Sequence, residues 1–228
     1  MMNVLSVWSK RLSLIGISVI LAGCASESHR SIEPTRTASS GSVYHGPKSM
    51  LAVGKFNNNS QYMRGLFSDG IDRLGNQAKT ILLNHLQQTG RFTVLDRDNM
   101  EEMAAEAGVQ GQEQNLLGAN YLITGQVTEF GRKEVGDVQL FGILGSGKKQ
   151  VAYTKVTLNV VDVLTSGVVY SVQGAGEYTL SNREILGTGS AAGYDSTLNG
   201  KVLDLAVREA VDHLVDGIQS GAWGVAGD

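Results

Sequence analysis

QVAYTKVTLNVVDV, residues 150–163, reads as one long strand. Leu164-Thr165-Ser166-Gly167 follows with turn chemistry, and residues 168–180 make a second strand that returns beside the first. An antiparallel run this late in the chain constrains everything before it. The preceding apolar stretch, Tyr121-Leu122-Ile123-Thr124-Gly125-Gln126-Val127, is a strand that continues toward Phe130. Between them, residues 131–149 mix charge and glycine with alternating apolar side chains.

Upstream the pattern changes. Ser49 to Phe56 is a short apolar strand, and Asn57-Asn58-Asn59-Ser60 ends it. Ala78, Ile81, Leu82 and Leu86 follow helical spacing across residues 75–89, with Gly90 as the stop. Arg91 to Leu95 is a strand, and Asp96 opens a helix over residues 99–107 that Gly108 ends. After a passage rich in Gly, Ala and Ser over 186–199, residues 201–218 form an amphipathic helix. Its stripe is Val202, Leu205, Ala206, Val211, Leu214, Val215 and Ile218. Strands that alternate with helices, then an antiparallel run, predict a mixed α/β sandwich.

The chain opens with a leader. Lys10 and Arg11 precede the apolar run LSLIGISVILAGC, residues 12–24, which is too short for a comfortable transmembrane helix. Its end, Leu21-Ala22-Gly23-Cys24, matches a bacterial lipobox, so residues 1–23 are expected to be removed and Cys24, the only cysteine, to carry lipid. Ala25 after it, rather than Asp, points to the outer membrane. Residues 24–48 are polar, with both prolines, and read as a lipidated flexible tether to a domain over 49–228.

Removal of the leader leaves 205 residues, enough for one domain, and shifts the formal charge from −3 to −5. That balance argues against a nucleic-acid partner. Glycine stands at 29 and proline at 2, a composition of strands and close backbone packing rather than of a disordered linker.

No GxxxxGK[ST], HExxH, CxxC or GxSxG pattern occurs, and no cofactor or metal is expected. His29 and His45 lie in the tether, while His85 and His213 fall on the polar sides of helices and read as solvated. Asp96-Arg97-Asp98 resembles a carboxylate pair, but at a strand-to-helix junction N-capping explains it better. The protein is expected not to be an enzyme.

Four ordered segments carry a resemblance. They are FTVLDR at 92–97 before an acidic helix, LGANYLITGQVTE at 117–129, LFGI at 140–143 continuing to VTLNVVD at 156–162 and TSG at 165–167, and AVREAV at 206–211 ending near Trp223. Together with the lipobox they make the chain resemble the curli secretion channel family, the CsgG-like outer-membrane lipoproteins, over most of residues 49–224. The resemblance implies a homo-oligomeric ring of about nine copies with closed symmetry. Each subunit would give a periplasmic α/β domain and β-hairpins to one shared transmembrane β-barrel. Such a channel passes unfolded protein subunits, of a curli-like fibre or an adhesin, without ATP and with periplasmic accessory factors.

The hairpins implied are about 129–158 and 170–199. In the first, Val138, Leu140, Gly142 and Leu144 alternate with Asp137, Gln139, Phe141 and Ile143, and the turn is expected near Gly145-Ser146-Gly147-Lys148. The second contains Glu177, Arg183, Glu184 and Asp195 and has a thin apolar face. The resemblance also implies a pore constriction from the loop over residues 61–70. Tyr62 and Phe67 keep the spacing of the family's two constriction aromatics, and Leu66 stands where an amide is expected. The alternative from another class is a non-channel periplasmic lipoprotein that binds and regulates an envelope enzyme or surface-organelle assembly, with the loop residues as core anchors.

Overall fold

The computed structural model describes residues 35–62, 71–138, 146–183 and 198–224. Leader residues, Cys24, Leu66, Phe67, the tip of the first hairpin and residues 184–197 therefore lie outside the described residues. One five-stranded mixed sheet organises the rest, in the order β2-β1-β3-β4-β5. Its strands are β1 (Ser49–Asn58), β2 (Phe92–Leu95), β3 (Tyr121–Val138), β4 (Ser146–Asp162) and β5 (Val168–Arg183). β1 pairs in parallel with β2 and β3, while β3, β4 and β5 form an antiparallel meander.

Three α-helices stand among the described residues: α1 (Arg73–Gln88), α2 (Met100–Val109) and α3 (Leu198–Gln219). α1 packs on β1, α3 packs on β4 and β5, and the two helices touch each other. Leu74, Ala78, Leu82 and Leu86 of α1 meet Val202, Ala206, Ala210 and Leu214 of α3 over Leu51, Ile123, Val127, Val156 and Leu158 of the sheet in one continuous apolar core. The parallel crossovers from β1 to β2 and from β2 to β3, followed by the antiparallel meander, bear out the mixed α/β class.

α3 sits unusually near β5 because the strand offers glycine. A Cβ on Gly174 would run into the Ala206 carbonyl, and one on Gly176 into the Val202 carbonyl. These two glycines share one sheet face by the two-residue period. At the start of the strands an aromatic cluster closes the core. Trp223 stacks on Phe92 and Tyr170, each at 6.1 Å, and meets Tyr121 edge-on at 5.5 Å. Its indole N–H donates to the Leu214 carbonyl.

Two expectations change. The turn expected near residues 145–148 does not use Gly147 and Lys148: they pair with Asp137 and Gly136 in the ladder, while residues 139–145 lie outside the described residues. The buried alternation of Val127 and Phe130 against Val156, Thr154 and Ala152 fixes this register, since a one-residue slip would turn the core face outward. The chain before Ser49 is also not merely a tether, because the compact unit begins at Thr35. A 3-10 helix, Ala38–Gly41, lies there with Thr37 buried beside it, held to α3 by the Ala38 N–H on Asp212.

Candidate functional site

The neck of the loop over 61–70 is the best-defined part of the region that the sequence singles out. Asp72, the N-cap of α1, accepts from the Gly75 N–H at 2.8 Å and from the Asn58 N–H at 2.5 Å. One carboxylate thus closes the loop from both ends and caps the helix that follows. Gly75 is required there, because a Cβ would strike the Phe56 carbonyl. On the other side of the neck, Asn58 donates to the Tyr62 carbonyl and accepts from the Ser60 N–H and hydroxyl.

Tyr62 is half-buried. Its ring lies 4.5 Å from that of Phe130, and Asn199 donates to its hydroxyl at 3.3 Å. Three stems therefore converge on one point: the loop at Tyr62, the outgoing strand of the first hairpin at Phe130, and the return from residues 184–197 at Asn199, in the first turn of α3. No signal in the sequence tied Asn199 to this junction. Beyond it the meander keeps going. β3 continues eight residues past Phe130 to Val138, and the three strands stay paired as far as Val138 on Ser146 and Gly147 on Arg183. At about 3.3 Å per residue the 17 residues of β4 span roughly 55 Å. α3, with 22 residues at about 1.5 Å each, spans only about 33 Å.

Beside the neck a cavity of about 420 Å³ is bordered by Lys55, Asp72, Asn76, Lys79, Arg97 and Asp98. Lys79 spans it to reach Asp98 at 2.5 Å. Asp96 does not cap α2 as expected. It accepts from the Asn99 side chain and from the Asp98 and Asn99 N–H groups, and these bonds hold its carboxyl below the usual value. Asn99 takes the N-cap position without a side-chain bond.

The histidines divide. His213 is exposed, with Nδ1 on the Gln173 carbonyl. His85 is not solvated, contrary to expectation: it is 2% exposed, with Nε2 2.8 Å from Asp204 Oδ1 and Nδ1 near Gln88. It lies on the same α1 stripe as Ala78 and Leu82, a position legible from spacing alone. Asp204 also accepts from the Thr35 hydroxyl. Burial by itself would push its carboxyl up, but the bonds from His85 and Thr35, with nearby positive charge, outweigh that and hold it low. Asp212 goes the other way, since burial raises it and the Ala38 N–H offsets only part. Among the described residues, no group of three or more His, Cys, Asp or Glu side chains is placed to hold a metal. No described helix is long and apolar enough to cross a membrane, which leaves crossing by strands open.

The model of the curli production assembly/transport component CsgG family matches residues 38–227. The chain belongs to that family. It is 59% identical over 215 residues to the Neisseria meningitidis protein named Putative lipoprotein NMB1126/NMB1164, from serogroup B strain ATCC BAA-335 / MC58. The alignment covers 94% of this chain and 96% of that one. Among solved structures it is similar to the PelC dodecamer from Paraburkholderia phytofirmans, at 16% identity and a TM-score of 0.35, over 79% of this chain and 93% of that one. It is also similar to Lipoprotein GNA1162 from Neisseria meningitidis, at 14% identity and a TM-score of 0.34, over 75% and 99%.

Proposed function

We propose that the protein is a lipid-anchored subunit of an outer-membrane ring that exports unfolded protein subunits without ATP. Cys24 carries the acyl chains; two or more give stable attachment. The observation that supports the channel is the β3–β4–β5 ladder, which runs well past the helix-covered core. The eight residues of β3 beyond Phe130 approach the about 9–11 that a tilted transmembrane strand needs. Closing such strands between copies would satisfy every backbone group in lipid. The aromatic contacts at Tyr62 fit an anchor for the loop stem, so Leu66 and Phe67 are left to form the constriction. An unfolded chain needs apolar contact there without tight binding. The protein acts on its cargo by passage and not by catalysis.

Negative-stain images and single-channel recordings of detergent-extracted full-length protein test this. Rings with a central hole and a conductance that rises when Phe67→Ala is introduced are expected; uniform monomers without conductance would end the proposal. The packing of Tyr62 into the protomer favours a second reading, a periplasmic lipoprotein that regulates an envelope enzyme or organelle, and monomers would support it.

Cys24→Ser tests the anchor separately. The variant should leave the membrane fraction or stall in processing, and firm retention after a high-salt wash would refute lipidation as the anchor.

A further inference from the structure

The chain joins the sheet at the end farther from the long ladder. Ser49 lies beside Phe92 with its N–H on the Arg91 carbonyl, and Leu51 lies beside Tyr121, where β3 begins. β1 and β3 run parallel from there, and β3 goes on past Phe130 to Val138 at the opposite end. A lipidated tether attached directly at Ser49 would leave the domain on the side away from the ladder.

Residues 35–48 change the point of exit by running back along α3. The Ala38 N–H donates to Asp212 at 3.0 Å, and the Thr35 hydroxyl donates to Asp204, nearer the start of the same helix. Thr37 between them is buried. Closer to Ser49, Arg91 donates to the Ser39 carbonyl and the Ser42 hydroxyl, and its guanidinium stands 5.2 Å over the Tyr44 ring. Val43 stays exposed, so polar contacts rather than an aliphatic anchor hold the segment.

The level that this segment reaches follows from the ladder. Asp204 stands between Val202 and Ala206, whose carbonyls lie against Gly176 and Gly174. Gly176 pairs with Thr154 and Thr154 with Phe130, while Gly174 pairs with Val156 and Val156 with Val127. Thr35 is therefore level with the last residues of β3 before the ladder leaves the core. From Ser49 the chain has moved roughly 25 Å along the strands, at about 3.3 Å per residue. Cys24 lies eleven residues before Thr35, a span of at most about 40 Å. The eight residues of β3 beyond Phe130 rise roughly 26 Å. A tether that starts at Thr35 is thus long enough to bring Cys24 to any level of this part of the ladder.

We propose that residues 35–48 are a strap that turns the lipidated tether round, so that it leaves the domain at the base of the ladder and holds the ladder end against the bilayer that carries Cys24. The partner of that end is a lipid surface. A tether joined at Ser49 would fix the distance of the domain from the membrane but not which end it presents. The strap adds the direction, and Thr35, Thr37 and Ala38, with Arg91 and Asp212 opposite them, are its positioning residues. This rests on the Cys24 anchor and the membrane-crossing strands proposed above.

Energy transfer to the bilayer tests it. Cys24 is the only cysteine and is acylated in this reading, so a cysteine introduced at Glu177 or at Leu164 takes a single donor dye. Glu177 pairs with Tyr153 at the base of the ladder, while Leu164, 94% exposed, lies in the turn at the far end. The full-length acylated protein is diluted from detergent onto preformed phosphatidylethanolamine and phosphatidylglycerol vesicles that carry an acceptor lipid. In the parent the Glu177→Cys dye should transfer more than the Leu164→Cys dye. Thr35→Ala/Thr37→Lys/Ala38→Pro, folded by circular dichroism and acylated by mass spectrometry, should lose that difference. Thr37 is extended, as the residue before a proline prefers, so Ala38→Pro removes the donor to Asp212 without forcing the backbone. If the triple variant fails to fold, Thr35→Ala/Ala38→Pro leaves Thr37 and Arg91 in place and carries the same readout. A parent with the difference and a strap variant that keeps it overturns the strap and leaves the crossing strands standing. A parent whose two sites transfer alike overturns both.

Discussion

His85 Nε2 lies 2.8 Å from Asp204 Oδ1, joining two helices 119 residues apart in sequence, and the same carboxylate takes the Thr35 hydroxyl. One acidic side chain therefore fastens α1, α3 and the beginning of the compact unit. Asp204→Asn should cost about 1–2 kcal/mol at pH 7, as loss of a charged hydrogen-bond acceptor to a buried partner does, measured by urea denaturation. The sign with pH follows from the depressed carboxyl. Its contribution is present above the ordinary carboxylate value and is lost as pH falls through the folded value. The difference between parent and variant should shrink on acidification.

Asp212 behaves in the opposite sense. Burial raises its carboxyl, so ionisation at neutral pH opposes folding, and the parent gains stability as pH falls through the raised value. Asp212→Asn keeps an acceptor for the Ala38 N–H and removes the charge. Thermal melts at pH 7 should place it level with the parent or above, and the advantage should vanish in acid. A marked loss of Tm at pH 7 would contradict this.

The close approach of α3 to β5 predicts an asymmetry among glycines. Gly174→Ala forces a methyl against backbone that cannot swing aside and should destabilise by about 1–3 kcal/mol. Gly118→Ala, where nothing stands within 4 Å, should lie within about ±0.5 kcal/mol. Denaturant midpoints of the two variants, measured side by side, check the pair.

Trp223 joins the end of the chain to the first residues of β2, β3 and β5. Truncation to Ala should cost about 3–5 kcal/mol, with loss of the near-ultraviolet circular dichroism of the cluster. Deletion of the chain from Trp223 onward should do the same, since Tyr121 would also lose its bond to the Gly224 carbonyl.

Much of the architecture was legible because it rests on period. The alternation in residues 150–163 and the stripes in α1 and α3 express burial directly, and the strands and α-helices start within a few residues of where periodicity puts them, although β3 runs eight residues past Phe130. What escaped depends on partners distant in the chain. His85 looked polar and solvated, yet it lies one helical turn from Leu82 and finds its hydrogen-bond partner, Asp204, on α3. Residues 35–47 looked like linker because their composition is small and polar, while the groups that hold them, Arg91, Asp204 and Asp212, come from elsewhere. Gly147 and Lys148 resemble turn chemistry, and only the cross-strand register assigns them to the ladder. The family resemblance singles out Tyr62, but nothing in the sequence signals its contact with Phe130 and Asn199.

The closure at Asn58 and Asp72 has an evolutionary consequence. The clasp uses a backbone amide, a helix cap and a carboxylate, supplied by Asn58, Gly75 and Asp72, so its own bonds draw on no side chain of residues 63–70. Lengthening a loop costs little, about 0.6 kcal/mol for each doubling. A change in the length of the chain between Asn58 and Asp72 therefore leaves the bonds of this clasp in place, and it is on Asn58, Asp72 and Gly75 that selection for a closed neck should act.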